Sequence, residues 1–157
     1  MTDQDKSQFP DIRLLNLLDD AIQTNIKADP QIKQHAKILR SIPGIGPVLC
    51  TALITEMPEL GSISDKQIAA LAGVAPINND SGQTNGKRSI KGGSYNVRCL
   101  LYQAALVAST HNKHLKAFSK RLKEKGKPHK VILIAVARKL LVIANALVAK
   151  NQLWRTN

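Results

Sequence analysis

Apolar side chains recur every three or four positions along most of this 157-residue chain, which is the spacing of one face of an α-helix. No segment shows the sustained alternation of apolar and polar residues that a β-strand produces. Capping signals mark several helix starts: Asp29 before Pro30, Ser64 with Gln67 three positions later, and Asn112. The sequence therefore predicts an all-α fold. Its helices are predicted over 11–28, 30–40, 65–72, 94–110, 112–125 and 128–150.

One glycine-bearing stretch, LRSIPGIGPVLCTALI at 39–54, joins two further helical segments. Gly44 and Gly46 allow a tight turn with positive φ, and Pro47 opens the helix that follows. This order is typical of a helix-hairpin-helix, in which a glycine backbone lies close to a phosphate and a helix N-terminus supplies free N–H groups. We expect Gly44, Ile45 and Gly46 to contact DNA, with Ile42 and Ile45 anchoring the turn. A plain glycine turn between packed helices is the alternative.

The charge of the chain is divided very unevenly. Residues 1–80 hold 7 basic and 10 acidic residues, whereas residues 81–157 hold 16 basic residues and a single acid, Glu124. A field of this kind attracts a polyanion such as DNA, RNA or an acidic membrane surface. The longest apolar run, 131–149, carries two cations at its centre, which indicates a core helix and not a membrane span.

Two further features of composition narrow the class of protein. Cys50 and Cys99 both fall inside apolar helical patterns, which indicates no disulfide framework and favours the cytoplasm. An aromatic content of 3% argues against a stacking platform for single-stranded bases and favours contacts with the nucleic-acid backbone.

Lysines recur at helical spacing through the run KHLKAFSKRLKEKGKPHK at 113–130. With so few acids nearby, a face for a phosphate backbone is as well supported as an ordinary solvated face. His111 and His114 lie three apart, but no third ligand is near in sequence, so we predict no metal site. Five lysines are expected to bind DNA. Lys91 precedes this run, and the others lie within it: Lys116, Lys120, Lys123 and Lys127.

Five blocks of the chain, taken in order, resemble a known family. They read SIPGIGPVLCTALITEMPELG, QIAALAGVAPINNDSG, GKRSIKGG, VRCLLYQAAL and ARKLLVIANAL, and they span about residues 36–150. The resemblance is to the C-terminal transposase domain of the insertion-sequence transposases related to pilin-gene invertases. It implies a DNA recombinase in which a resolvase-like N-terminal domain carries acids that hold Mg²⁺. A helical arm joins that domain to this one, which supplies a serine nucleophile, and some members are guided by a structured RNA.

The resemblance sets the expected organisation of the chain. We expect a helical arm over 1–35, the transposase domain over 36–150 and a tail over 151–157, with 1–8 and 154–157 loosely held. The chain has no room for the acidic half and resembles a fragment or a truncated copy. We therefore expect no cofactor in this chain, Mg²⁺ in the missing N-terminal domain, and little or no activity alone. The expected partners are DNA, a structured guide RNA, the resolvase-like domain and a second copy bound through the arm.

The polar passage APINNDSGQTNGKRSIKGG at 75–93 is the expected place for chemistry. A long glycine-rich segment buries little, so it indicates either a functional loop or a disordered connector. The serine of the family falls on Ser81, the candidate nucleophile, although Asp-Ser-Gly is also an ordinary turn sequence. Lys87, Arg88 and Arg98 are the candidate cations for the phosphate and the transition state.

Two other functions stay open. The first is a non-catalytic helix-hairpin-helix module that binds DNA or structured RNA, and the second is a structural piece whose basic face contacts another protein.

Overall fold

The computed structural model describes residues 20–21, 24, 28–77, 80–81, 84–85, 89–90 and 93–156. Within these ranges most residues are helical, which confirms the all-α prediction, and the only strands are two-residue ladders in the polar passage. The helices are α1 (Pro30–Ser41), α2 (Pro47–Glu56), α3 (Asp65–Leu71), α4 (Tyr95–His111), α5 (Lys113–Glu124) and α6 (His129–Ala149). The strands are β1 (Pro76–Ile77), β2 (Asp80–Ser81), β3 (Thr84–Asn85) and β4 (Ser89–Ile90).

The predicted helix starts are set by local hydrogen bonds. The side chain of Ser64 accepts from the amide of Gln67, whose own side chain accepts from the Ser64 amide, so the capping box is present at α3. Ser94 and Asn112 cap α4 and α5 by accepting from the amides three residues later. These helices begin and end within two residues of their predicted bounds. The prediction over 11–28 lies largely outside the described residues.

The chain divides into two units, Met1–Gln34 and His35–Asn157. Of the first unit, the structure describes residues 20–21, 24 and 28–34. There the carboxylate of Asp29 accepts from the amides of Gln31 at 2.8 Å and Ile32 at 3.3 Å, which is the cap that the sequence predicted.

The second unit is organised around α6. This helix is long and apolar enough to cross a bilayer by length and composition alone, but half of its most apolar window is buried inside the protein. It packs against α3, α4 and α5, while α2 packs against α4. Because water-excluded contacts of this kind account for its apolar run, α6 is a core helix. Its buried apolar residues are Ile132, Leu133, Val136, Ala137, Leu140, Leu141, Ala144 and Val148.

Two asparagines are buried among the described residues, and each ties a connection to a helix. Asn145 of α6 accepts from the amide of Gly61 at 2.7 Å and donates to the carbonyl of Ile63 at 3.0 Å. Asn112 donates from Nδ2 to the carbonyl of Pro43 at 3.1 Å while its Oδ1 caps α5. Because buried polar groups need partners, these bonds hold the connections before α3 and α2 in one arrangement.

Candidate nucleic-acid interface

The turn between α1 and α2 is built into the core on one side. Ile42 and Ile45 are 1% and 5% exposed, so both isoleucines anchor it, as expected. Gly44 has a φ of +109°, and a Cβ built there would lie 2.7 Å from the Cβ of Ala108 on α4. Glycine is therefore required at this position by both the backbone conformation and the close approach of α4.

Gly46 differs from Gly44, and the expectation of a positive φ is wrong for it. Its φ is −88° and its ψ is −177°, because it is the extended N-cap residue of α2. A Cβ there would meet nothing within 4 Å, and no side chain caps the helix. Gly46, Pro47 and Val48 are all exposed, the last at 67%. In the first turn of α2, Pro47 has no N–H, and by their position the amides of Val48 and Leu49 have no acceptor within the helix. The side chain of Ile45 is buried.

The lysines of α5 lie along one exposed flank of the helix. Lys116, Lys120 and Lys123 are exposed and recur at three- and four-residue spacing, with Lys113 preceding them and Lys127 exposed beyond the helix. We call Lys113, Lys116, Lys120 and Lys123 the lysine flank. The bond from Asn112 to Pro43 holds the start of α5 against the α1–α2 turn. The beginning of the lysine flank and the turn that leads into α2, which are about 70 residues apart in sequence, are thus held beside each other.

The C-terminal tail is not loose at Trp154, so that expectation is wrong for this residue. Its amide donates to the Ser41 hydroxyl at 2.9 Å, and its ring lies edge-on to that of His114, with centroids 5.5 Å apart. A large ring that packs on the domain gains burial that a short polar tail lacks. His114 therefore packs against an indole, and within the described ranges no three His, Cys, Asp or Glu side chains are grouped to hold a metal ion.

The polar passage contains two short antiparallel ladders. β1 pairs with β4 and β2 with β3, so that Ser81 is opposite Thr84. Only the backbone of Ser81 is described, and the candidate residues Lys87, Arg88 and Lys91 lie outside the described residues.

The two ends of the passage meet beside the end of α2. We call this region the loop root, and it consists of Glu56, Leu71, Gly73, Gly93, Ser94 and Asn96. Gly93, at φ +73°, lies so close to the backbone of Gly73 that no Cβ would fit. The Ser94 amide donates to the carbonyl of Leu71 at 2.9 Å. The carboxylate of Glu56 accepts from the Ser94 hydroxyl at 2.9 Å and from the Asn96 side-chain amide.

Arg98 lies on α4, one turn beyond the loop root. Its guanidinium is 5.5 Å from the centroid of the Tyr95 ring, and it lines a shallow groove with Lys130 at the start of α6. Sequence reasoning missed Lys130, since only the packing of α4 against α6 brings the two cations to one groove. In the same turn, a hydrogen bond with Cys99 raises the pKa of the exposed Tyr95 phenol.

The other cysteine is structural. Cys50 is buried, and its burial raises the pKa of the thiol, although Arg40 acts in the opposite sense. Cys50 is therefore a packing residue of the core, and the raised pKa favours its neutral thiol.

Comparison with known proteins identifies the class. Residues 36–120 match the model of the Transposase IS116/IS110/IS902 family, and this chain belongs to that family. The resemblance drawn from the five sequence blocks is therefore confirmed.

Particular relatives extend the match beyond those residues. The chain is 34% identical over 139 residues to the pilin gene-inverting protein of Moraxella bovis, covering 86% of this chain and 43% of that protein. It is 27% identical over 143 residues to an uncharacterized 44.8 kDa protein of insertion element IS116 from Streptomyces clavuligerus, covering 87% of this chain and 36% of that protein. An uncharacterized 42 kDa protein of insertion element IS900 from Mycobacterium paratuberculosis is 29% identical over 127 residues, covering 77% and 31%. The chain thus spans less than half the length of these relatives.

Proposed function

We propose that this chain is the DNA-binding part of a transposase or DNA invertase and that it contributes a serine nucleophile to strand exchange. The observation that carries the binding half of this proposal is the hydrogen bond from Asn112 to Pro43. It ties the beginning of α5, where the lysine flank starts, to the turn that leads into α2, a helix whose positive dipole end suits a phosphate. A helix-hairpin-helix contact and a basic helix then act on one sugar-phosphate backbone, and neither needs to read bases.

Salt dependence tests the binding half. If the lysine flank neutralises phosphates, the affinity for duplex DNA falls with salt at a log–log slope of about −0.9 for each phosphate. We expect a slope steeper than about −4 for the whole domain, with little sequence preference. Changing Lys116, Lys120 and Lys123 to Gln should make the slope shallower by about 2 to 3. Binding that ignores salt would contradict the proposal.

Gly46→Val tests the hairpin. Because Gly46 has an ordinary φ and open space around it, valine leaves the fold intact but places a branched side chain where a phosphate would approach. We expect weaker binding to duplexes of any sequence. A folded variant with unchanged affinity would mean that the turn only joins two helices.

The chemical half of the proposal assigns the nucleophile to Ser81. Its support is the position of the family's serine, which falls on Ser81. In the proposed step the Ser81 oxygen forms a bond to a DNA phosphorus and loses its proton, and the displaced bridging oxygen leaves as a deoxyribose hydroxyl. Arg98, with Lys87 and Arg88, would neutralise the charge that develops on the phosphate oxygens. The family resemblance assigns the acids that hold Mg²⁺ to a resolvase-like domain, and we derive no step through that ion.

Covalent capture tests the nucleophile. Once the chain is joined to a resolvase-like half with Mg²⁺, we expect a phosphoserine link to DNA at Ser81, which Ser81→Ala abolishes while leaving DNA binding nearly intact. A label on Ser89 or Ser94 in a peptide digest would contradict the assignment, and the Ser94 hydroxyl is already bonded to Glu56. Salt-dependent binding without covalent capture would instead support a non-catalytic module for DNA or structured RNA. Absence of both would favour a structural piece.

A further inference from the structure

A second basic surface lies on the other exposed flank of α5. Residues His114, Ala117, Phe118 and Arg121 share that side of the helix, because they are spaced by three and four. Together with α6 and the C-terminal tail they line an open groove with a cavity volume of about 720 Å³. We call this the tail groove. Its remaining lining residues are Lys139, Ile143, Leu147, Gln152, Leu153, Trp154 and Arg155.

The tail groove gathers cations without an acid. Arg121, Lys139 and Arg155 all line it, and no carboxylate is among the lining residues. The ring of Phe118 supports two of these charges, since the ammonium of Lys139 lies 4.3 Å from its centroid and the guanidinium carbon of Arg121 lies 5.4 Å away. Cations from three separate elements are therefore directed to one place, where an anion would be attracted.

The groove also contains the one tryptophan of the chain. The indole N–H of Trp154 is buried and, among the described residues, has no hydrogen-bond partner. The indole ring packs against the ring of His114, and the backbone amide of Trp154 donates to the Ser41 hydroxyl. The ring of Trp154 is therefore held in a fixed position in the lining of the groove.

We propose that the tail groove binds an unpaired nucleotide of a single-stranded nucleic acid, with its phosphates on Arg121, Lys139 and Arg155 and its base against Trp154. A cluster of cations beside an aromatic ring is the combination by which proteins hold single strands. A base inside a duplex has both faces stacked, so only an unpaired base has a face to offer. A cavity volume of about 720 Å³ is large enough for one nucleotide. This proposal departs from the interpretation that an aromatic content of 3% argues against a stacking platform for single-stranded bases.

This inference rests neither on the serine nucleophile nor on the hairpin. The lysine flank and the tail groove face different sides of α5, so a duplex on the first leaves the second open. The bond between Trp154 and Ser41 also holds the groove next to the α1–α2 turn. A single strand in the groove would thus lie close to the surface proposed for duplex DNA, as strand exchange requires.

Trp154 fluorescence provides a direct test with the full chain. We expect saturable quenching by an oligothymidylate of about ten nucleotides, which is within the usual span of single-strand sites. Arg155→Gln combined with Lys139→Gln should weaken this binding about tenfold, as expected for loss of charge-assisted contacts to phosphate. The matched control, Lys37→Gln with Lys66→Gln, removes the same charge from exposed positions outside both the tail groove and the lysine flank and should change it by less than about threefold.

Two further ligands identify the occupant. An abasic oligonucleotide of the same length should quench weakly, because it has phosphates but no base to stack. Polyglutamate of matched charge should bind less tightly than oligothymidylate. Equal binding of polyglutamate, equal effects of the two double variants, or absence of quenching would each overturn the proposal. If Lys139→Gln disturbs the fold, Arg155→Gln alone provides the test, because Arg155 is exposed in the tail. An unchanged affinity of this variant for oligothymidylate would overturn the proposal.

Discussion

The hairpin end and the loop root are held by different kinds of contact. The hairpin end, residues 41–48, is fixed by contacts that exclude water: Gly44 against Ala108, Pro43 against the fully buried Asn112, and Ser41 against Trp154. The loop root combines a close backbone contact with an exposed carboxylate, Glu56, that binds two exposed polar groups. Buried contacts stabilise strongly and exposed ones weakly. We therefore expect the surface at the hairpin end to be preformed, whereas polar changes at the loop root should affect chemistry more than folding.

The largest effect is expected from Gly44→Val. The variant combines a positive φ with a clash against Ala108, and should lower the free energy of unfolding by about 3 kcal/mol or more in chemical denaturation. Gly46→Val is the matched control and should cost less than about 1 kcal/mol. Equal stabilities for the two variants would remove the distinction between the glycines.

Asn112→Ala should come next, with a loss of about 2 kcal/mol in the free energy of unfolding. It removes the cap of α5 and leaves the carbonyl of Pro43 without its donor. Asn112→Ser retains a capping oxygen but does not reach Pro43, so it should recover about half of the loss. If serine restores full stability, the bond to Pro43 contributes nothing and the hairpin is not held by α5.

Ser41→Ala should cost about 1 kcal/mol, because the hydroxyl accepts from the Trp154 amide and donates to the carbonyl of Ile38. Denaturation gives the stability, and Trp154 emission reports whether the tail stays packed. Unchanged stability and emission would show that the tail is held by its ring alone. Thr55→Ala provides a control, since the Thr55 hydroxyl bonds only within α2.

Glu56→Gln should have the smallest effect on folding, below about 0.5 kcal/mol, because its hydrogen bonds are exposed. If this carboxylate orients the loop root, the yield of covalent DNA link in the protein joined to its resolvase-like half should still fall about threefold or more. The control is Glu59→Gln, which changes an exposed acid in the connection that follows α2. It should alter neither the stability nor the yield of the covalent link. A loss of stability near that of Asn112→Ala would contradict the contrast between the two regions.

Local chemistry in the sequence predicted most of the fold. Helix bounds, the capping box at Ser64 and the caps at Asp29 and Asn112 depend on residues within four positions of one another. The pattern therefore located them without knowledge of neighbouring helices. The five blocks identified the family for a similar reason: their residues and their order are read directly from the sequence, without knowledge of how the helices pack.

The assembly of the candidate sites depended on tertiary structure. Both glycines of the turn look alike in sequence, but only Gly44 faces a helix more than 60 residues away. Lys130 shares a groove with Arg98, and Trp154 packs on His114, through contacts between elements distant in the chain. Composition counts aromatic rings and charges without stating where they meet, so it missed the tail groove. The sequence by itself determined the helices and the family; only helix packing decided which cations, rings and glycines share a surface, because those distances depend on how the core is filled.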